Sequence, residues 1–244
     1  MTGTSILNSP NHPKRRGLAP WEGLWTMRII KALNVGAVGA ALVAGLLFVP
    51  VGQAQAATPD GVASIGSASI TMAGQANSLA ALAQCNVHGQ ATASATARSI
   101  PGVVSFGRGT SRCTANLRAH TTMSAATGSR FALDALARFG GPRVTISGYQ
   151  VICRANRNGT VASWRFSGLT GLGRLPMRMP QDYTVRIYGI GGRLLARAIF
   201  NEVIPSHPAD GGTTLNLLHL ILLPQRGTTG GDVIVGATAC APTS

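Results

Sequence analysis

Hydrophobic and polar residues alternate along much of the chain in the way that β-strands require. The most apolar segment, residues 213–223, has apolar side chains on both parities, which predicts a central strand covered on both faces. A second apolar segment at residues 233–240 follows a glycine-rich turn. Residues 144–153 change their apolar parity at Gly148, as a β-bulge would cause. These patterns predict a sheet with residues 213–223 at its centre.

Turn signals separate these strands at hairpin spacing. Asn158 and Gly159 form a favoured two-residue hairpin turn, and glycine-rich turns follow at residues 189–192 and 227–231. Several short strands at such spacing are typical of two-layer or closed β-folds. The sequence therefore predicts an all-β fold, an antiparallel β-sandwich or barrel of short strands.

Two segments also fit a helical pattern. Residues 57–99 alternate small and β-branched residues, which favours strands, but residues 76–84 within them could form a helical turn. Residues 130–139 have apolar residues at helical spacing and end at Gly140. We expect strands in the first segment and leave the second open between strand and helix.

A secretory signal is indicated near the start of the chain. Residues 27–31 are basic, residues 32–49 are almost wholly apolar, and Ala54 and Ala56 satisfy the small-x-small rule for cleavage. We predict a cleavable signal helix at residues 27–56, with Ala57 as the first mature residue. A retained membrane helix is the alternative, because 18 apolar residues reach the lower limit for spanning.

The segment that precedes this signal shows no apolar period. Residues 1–26 contain three prolines and a basic cluster, and we predict a disordered extension there. A compact signal that begins at Met27 is also consistent with Met27 as the true start. The remaining residues, 57–244, are enough for a single extracellular β domain.

The charge balance of that domain is strongly basic. It has 16 basic residues, all arginine, and six acidic ones, a net charge of +10. Outside a cell such a surface favours anionic wall polymers or a phospholipid membrane surface as partners. We expect no nucleic acid, because the arginines form no dense run and aromatic residues for base stacking are few.

Four cysteines follow the signal, an even number that predicts two disulfides in an oxidising compartment. Four cysteines allow three pairings, and the sequence alone does not decide among them. We favour Cys85 with Cys113, which lie in neighbouring short strands, and Cys153 with Cys240, which lie in long apolar ones. There is no C-x-x-C pair and no shared histidine spacing, so we predict no metal site and no cofactor.

Four segments carry a resemblance to a known family: Phe200, Asn201 and Glu202, residues 214–219, residues 232–236 and the strand block at residues 140–159. In these segments the chain resembles the choice-of-anchor P family of secreted, mainly actinobacterial proteins. The resemblance covers roughly residues 67–240. It implies an extracellular domain of unassigned activity.

The polar residues of these motifs are the candidate chemistry. Asn216 and His219 interrupt an apolar strand, and Asn201 and Glu202 stand in the preceding one. One interpretation makes His219 a ligand or proton carrier near Glu202. The other, which we favour, is structural: a neutral core histidine satisfied by backbone groups.

These observations favour a secreted, non-enzymatic extracellular or envelope-associated protein with a basic surface. The sequence has no G-x-S-x-G motif and no phosphate-binding loop. The alternative is a secreted hydrolase that uses Glu202 with His219 or with an aspartate.

Overall fold

Two antiparallel sheets make up the fold in the computed structural model, which describes residues 2–6, 61–205, 211–225 and 229–242. Sheet A has eight strands: β1 (Thr2–Ile6), β5 (Thr92–Ala95), β6 (Arg98–Ile100), β7 (Val104–Phe106), β8 (Gly109–Asn116), β9 (Thr121–Leu133), β10 (Val144–Asn156) and β11 (Gly159–Ser167). Sheet B has seven strands: β2 (Gly61–Met72), β3 (Gln75–Leu82), β4 (Cys85–Asn86), β12 (Tyr183–Tyr188), β13 (Leu194–Pro205), β14 (Thr213–Gln225) and β15 (Thr229–Cys240). The predicted all-β sandwich is confirmed. The predicted signal helix, the cleavage residues Ala54, Ala56 and Ala57, and Met27 lie outside the described residues.

The core lies between the two sheets and is filled by aromatic and branched side chains. Trp164 and Phe166 of β11 stack with ring centroids 5.7 Å apart, and Phe166 lies 6.0 Å from Phe200 of β13 in the opposite sheet. Each of the three is at most 7% exposed. Burying one such side chain contributes roughly 1.5–3 kcal/mol, so the sandwich is held mainly by the apolar faces of its long strands.

Both disulfides join sheet A to sheet B. Cys85 of β4 is bonded to Cys113 of β8, and Cys153 of β10 is bonded to Cys240 of β15. The pairing that we favoured is therefore confirmed. Two cross-sheet bonds of this kind are typical of an oxidising compartment.

Polar side chains also connect the sheets through the interior. The hydroxyl of Tyr149 on β10 donates to the carbonyl of Ile65 on β2 at 2.8 Å, and Ser124 of β9 donates to the carbonyl of Ala239 on β15 at 2.8 Å. Buried hydroxyl groups need such partners, because an unpaired polar group in the core costs free energy. Burial also raises the pKa of Tyr149, so the hydroxyl stays protonated and can donate.

Strand β14 is an interior strand, as predicted, but its apolar residues on both parities do not come from two fully covered faces. Leu218 and Leu220 are fully buried on one parity, and Leu215 and Leu217 are fully buried on the other. The strand changes its inward parity between Leu217 and Leu218. Ile221, on the outer face, is only partly buried, so the expectation that both faces are covered along the whole strand is wrong.

The two strands beside β14, and strand β9 beside β10 in sheet A, also change their inward side, each at a single residue with left-handed backbone. These are Arg130 on β9 (φ 50°), Asn201 on β13 (φ 52°) and Gly236 on β15 (φ 65°). The strand register is the same on both sides of each residue. The switch at Gly148 on β10 is therefore not the predicted bulge, because no residue is inserted. Asparagine and glycine adopt this backbone most readily, which explains two of the three positions.

The hairpin between β10 and β11 is confirmed, but its turn lies one residue earlier than predicted. Asn156 pairs with Gly159, so the two loop residues are Arg157 and Asn158. The Asn156 side chain accepts a hydrogen bond from the Asn158 N–H at 2.8 Å. This side-chain turn starts the reversal before Gly159.

The two ambiguous segments are mostly extended. Residues 76–84 contribute to β3, as expected. Of residues 130–139, the first four continue β9, and only Ala135–Phe139 form a 3-10 helix, which ends at Gly140. The backbone of β9 pairs with β10 as far as Leu133. These hydrogen bonds between strands favour the extended conformation more than a short helical pattern of apolar residues favours a helix.

The N-terminal residues include one strand that the sequence did not predict. Residues 1–26 were expected to be disordered, but β1 pairs antiparallel with the edge of β11. An edge strand offers free backbone donors and acceptors to any extended segment, whatever its side chains. Within the described ranges no helix is long and apolar enough to cross a membrane.

Candidate functional site

Three neighbouring strands of sheet B bring the motif residues together on its outer face. Glu202 of β13, His219 of β14 and Asp232 of β15 lie on three adjacent strands, with Glu202 opposite Asn216 and Asp232 opposite Ile221. The His219 Nδ1 lies 3.0 Å from both carboxylate oxygens of Glu202, and its Nε2 lies 3.0 Å from Oδ1 of Asp232. Asn216 donates its side-chain N–H to Glu202 Oε2 at 2.7 Å. We call these four residues the histidine cluster.

The charges of the cluster stabilise one another. The hydrogen bond to Glu202 raises the pKa of His219, and it outweighs burial, which lowers it; Asp232 raises it further. Burial tends to raise the pKa of Glu202, but hydrogen bonds from His219 and Asn216 and the charge of His219 leave it below its ordinary value. The cluster therefore favours an imidazolium between two carboxylates.

This geometry corrects one expectation about His219. We predicted a neutral histidine satisfied by backbone groups, but both ring nitrogens face side-chain carboxylates, because the sheet register places an acid on each neighbouring strand. The two acids lie on opposite sides of the ring and cannot share one ion with it. Across the described residues, no group of three or more His, Cys, Asp or Glu side chains could hold a metal ion.

Asn201 does not join the cluster, although it adjoins Glu202 in sequence. Its left-handed backbone turns the side chain into the core, where it is 2% exposed. There its Oδ1 accepts a hydrogen bond from Nε1 of Trp164 in the opposite sheet at 2.9 Å. Asn201 thus ties β13 to β11 and has no access to solvent.

A groove crosses sheet A along one row of the strand register. Gly109, Gly128, Tyr149 and Phe166 occupy this row on β8, β9, β10 and β11. They line two adjoining clefts of about 800 Å³ and 420 Å³. Four strands at a spacing of about 4.8 Å span about 14 Å, which is the length of the central part of the groove.

Shared lining residues make the groove continuous. The 800 Å³ cleft, which we call the wide cleft, shares Thr127 and Gly128 with the 420 Å³ cleft. That cleft shares Phe166 and Ser167 with a third cleft of about 220 Å³. The three clefts together form what we call the arginine groove.

The charge of the groove is positive in its wide and middle clefts. Arg98 and Arg108 line the wide cleft, and Arg165 lines the middle one. Each arginine is exposed. None of the described residues that line the three clefts is acidic.

The acidic residues of the described chain are engaged elsewhere. Asp134 pairs with Arg143 at 2.8 Å, and Asp182 accepts the N–H of Val203 at 3.0 Å. The other two belong to the histidine cluster. The guanidinium groups of the groove therefore face solvent in a depression that can accept an anion.

Sequence reasoning identified part of this picture. It named Asn201, Glu202, Asn216 and His219 and weighed an aspartate as partner, and the structure supplies Asp232. It did not identify the groove, because Arg98 and Arg165 lie on separate strands and Arg108 lies in the link between β7 and β8. That these residues line adjoining clefts could be seen only after strand order was known.

Compared with protein-family models, with curated proteins and with solved structures, the chain matches none. The resemblance to the choice-of-anchor P family stays a prediction.

Proposed function

We propose that this chain is a secreted, non-enzymatic extracellular protein whose arginine groove binds an anionic polymer of the cell envelope. The observation that carries the proposal is the set of three exposed arginines that line adjoining clefts, with no acidic residue among the described lining residues. Arginine donates several hydrogen bonds to phosphate or carboxylate groups and keeps its charge at every physiological pH.

The shape of the groove favours a single extended chain. A depression that crosses four strands accommodates one polymer strand, whereas the head groups of a bilayer form a plane. Nucleic acid is disfavoured, because Tyr149 and Phe166, the aromatic residues of the middle cleft, are 3% and 7% exposed and offer no face for base stacking.

The test is retention of the domain on isolated cell wall at increasing ionic strength. A groove variant (R98Q, R108Q and R165Q together) should bind at least about tenfold more weakly and depend less on salt, because each arginine that neutralises an anion releases a counter-ion. The matched control removes three exposed arginines that line none of the three clefts (R112Q, R154Q and R186Q together).

Two results would overturn the proposal. One is equal weakening in both triple variants, which would indicate diffuse surface charge. The other is failure of the wild-type domain to bind wall at low ionic strength. Stronger retention on anionic vesicles than on wall would instead identify a membrane surface as the partner.

The histidine cluster keeps a second candidate function open, a secreted hydrolase. The grouping of Glu202, His219 and Asp232 favours it, because paired acids and a histidine are the groups of general acid–base catalysis. Against it, both ring nitrogens of His219 are engaged, and Glu202 is only 16% exposed with both oxygens bonded. Release of soluble fragments from isolated wall by the wild type but not by E202Q would establish the hydrolase and refute the binding module.

A further inference from the structure

We propose that the wide cleft is a pocket for a phosphate monoester, such as the phosphorylated terminal unit of a sugar or polyol chain. The inference rests on the proposed function and names the chemistry of one end of the same groove.

The wide cleft lies beside the junction of β7 and β8, which follow one another along the same edge of β9. Strand β9 pairs with β8 up to Gly128 and with β7 from Ala132, and residues 107 and 108 link the two strands. Ser129 of β9 is hydrogen-bonded to this link. Its carbonyl accepts a hydrogen bond from the Gly107 N–H at 2.9 Å, and its hydroxyl donates one to the Arg108 carbonyl at 2.9 Å. These bonds position the backbone of Arg108 before any ligand arrives.

The opposite wall comes from sheet B and is also fixed. Ala83 follows strand β3 and lines the cleft, and its carbonyl accepts a hydrogen bond from the Ser111 hydroxyl of β8. Two residues further along the chain from Ala83 and from Ser111, Cys85 and Cys113 form a disulfide. A pocket with both walls tied in this way loses little conformational freedom when it binds.

The charge of the cleft matches a group with more than one negative charge. Arg98 and Arg108 both line the cleft, and no described lining residue is acidic, so no carboxylate of the lining compensates their two positive charges. A phosphate monoester carries about −1.5 to −2 charges and three acceptor oxygens. A carboxylate carries a single charge and is satisfied by one bidentate arginine. Two guanidinium groups therefore suit the phosphate better.

The rest of the lining suits the organic part of such an ester. Hydroxyl groups of Ser94, Thr96 and Thr110 can hydrogen-bond sugar or polyol hydroxyls. Leu82 and Ala95 provide apolar contact for its carbon atoms. A volume of about 800 Å³ exceeds what a bare phosphate fills and lies within the usual range of small-molecule sites, about 300–1,000 Å³.

The test is isothermal titration calorimetry of the exported protein with four ligands: glycerol phosphate, glucose 6-phosphate, inorganic phosphate and glucuronate. We expect saturable binding of the two esters, at least tenfold tighter than of glucuronate, and tighter than of inorganic phosphate. R98Q and R108Q should each weaken ester binding at least tenfold. R112Q, on β8 of the same sheet but outside the wide cleft, should change it less than twofold.

Failure of this inference can be told from failure of the proposed function. Wall retention that depends on the groove, with no ester binding, would refute the phosphate pocket alone. Glucuronate binding as tight as ester binding would also refute it, in favour of a carboxylate polymer. Ester binding that survives both R98Q and R108Q would place the ligand elsewhere. Unchanged melting temperatures of the variants would confirm that these exposed substitutions leave the fold intact.

Discussion

Replacing His219 by glutamine should destabilise the domain in a way that depends on pH. The substitution removes the imidazolium between Glu202 and Asp232 and leaves a glutamine of similar size. A hydrogen bond to a charged group contributes about 1.5–3 kcal/mol when well shielded. His219 and Glu202 are 17% and 16% exposed, whereas Asp232 is 55% exposed and adds little. We therefore expect a loss of about 2 kcal/mol near pH 6.

The direction of the pH dependence follows from the two pKa shifts. The pKa of His219 is raised, so its contribution is complete below the unfolded value of about 6.5 and is lost as the pH rises through the folded pKa. The pKa of Glu202 is lowered, so its contribution is complete above the unfolded value of about 4.3 and is lost as the pH falls through the folded pKa. The cluster stabilises most between about pH 4.3 and 6.5.

The assay is denaturant unfolding of the wild type and H219Q from pH 4.5 to pH 9. The difference in the free energy of unfolding should be largest near pH 6 and should shrink as the pH rises past the folded pKa of His219. The control is I199V, opposite His219 on β13, which loses one methyl group and should cost a constant amount at every pH. A difference between wild type and H219Q that is the same at pH 6 and pH 9 would refute the reasoning.

Three further predictions test how the sheets are held together. W164F removes the indole N–H that crosses to sheet B and takes this hydrogen bond from the buried Asn201 amide oxygen, so urea unfolding should show a loss of about 1–3 kcal/mol in the free energy of unfolding; no loss would mean that this hydrogen bond contributes nothing measurable to stability. Replacing Cys153 and Cys240 by alanine opens a loop of 87 residues, and loop entropy predicts that the free energy of unfolding falls by about 4.6 kcal/mol. This loss is about 1 kcal/mol larger than the loss predicted for the 28-residue loop of the other disulfide. The reverse order in denaturant unfolding would contradict this account. G128A places a methyl group against the ring of Tyr149 at the floor of the groove, so the melting temperature and wall retention should both fall; an unchanged melting temperature would show that the ring moves aside freely.

Some features of the fold follow directly from local patterns. The strands around Trp164 and those at residues 183–203 alternate with period two, which predicts strands, and the hairpin spacing of these strands predicts an all-β sandwich or barrel. The disulfide pairing was also predicted correctly, from the type of strand in which each cysteine lies. Both predictions needed only neighbouring residues and the oxidising context of an even cysteine count.

Other features failed because local pattern and tertiary cause differ. Apolar residues on both parities of β14 predicted two covered faces, but the strand reverses its inward side between Leu217 and Leu218. That reversal depends on Asn201 and Gly236 in the neighbouring strands. No window on β14 itself contains this information.

The sequence by itself determined the class of the fold, the oxidised state of its cysteines and the excess of arginine, because each depends on composition or on short-range periodicity. Only the tertiary structure decided that Glu202, His219 and Asp232 meet, and that Arg98, Arg108 and Arg165 line one groove. Within each group the residues are separated by 10 to 67 positions in the chain, and the fold of the two sheets brings them together. Hydrogen bonds between strands set that register, and their partners cannot be read from either strand alone.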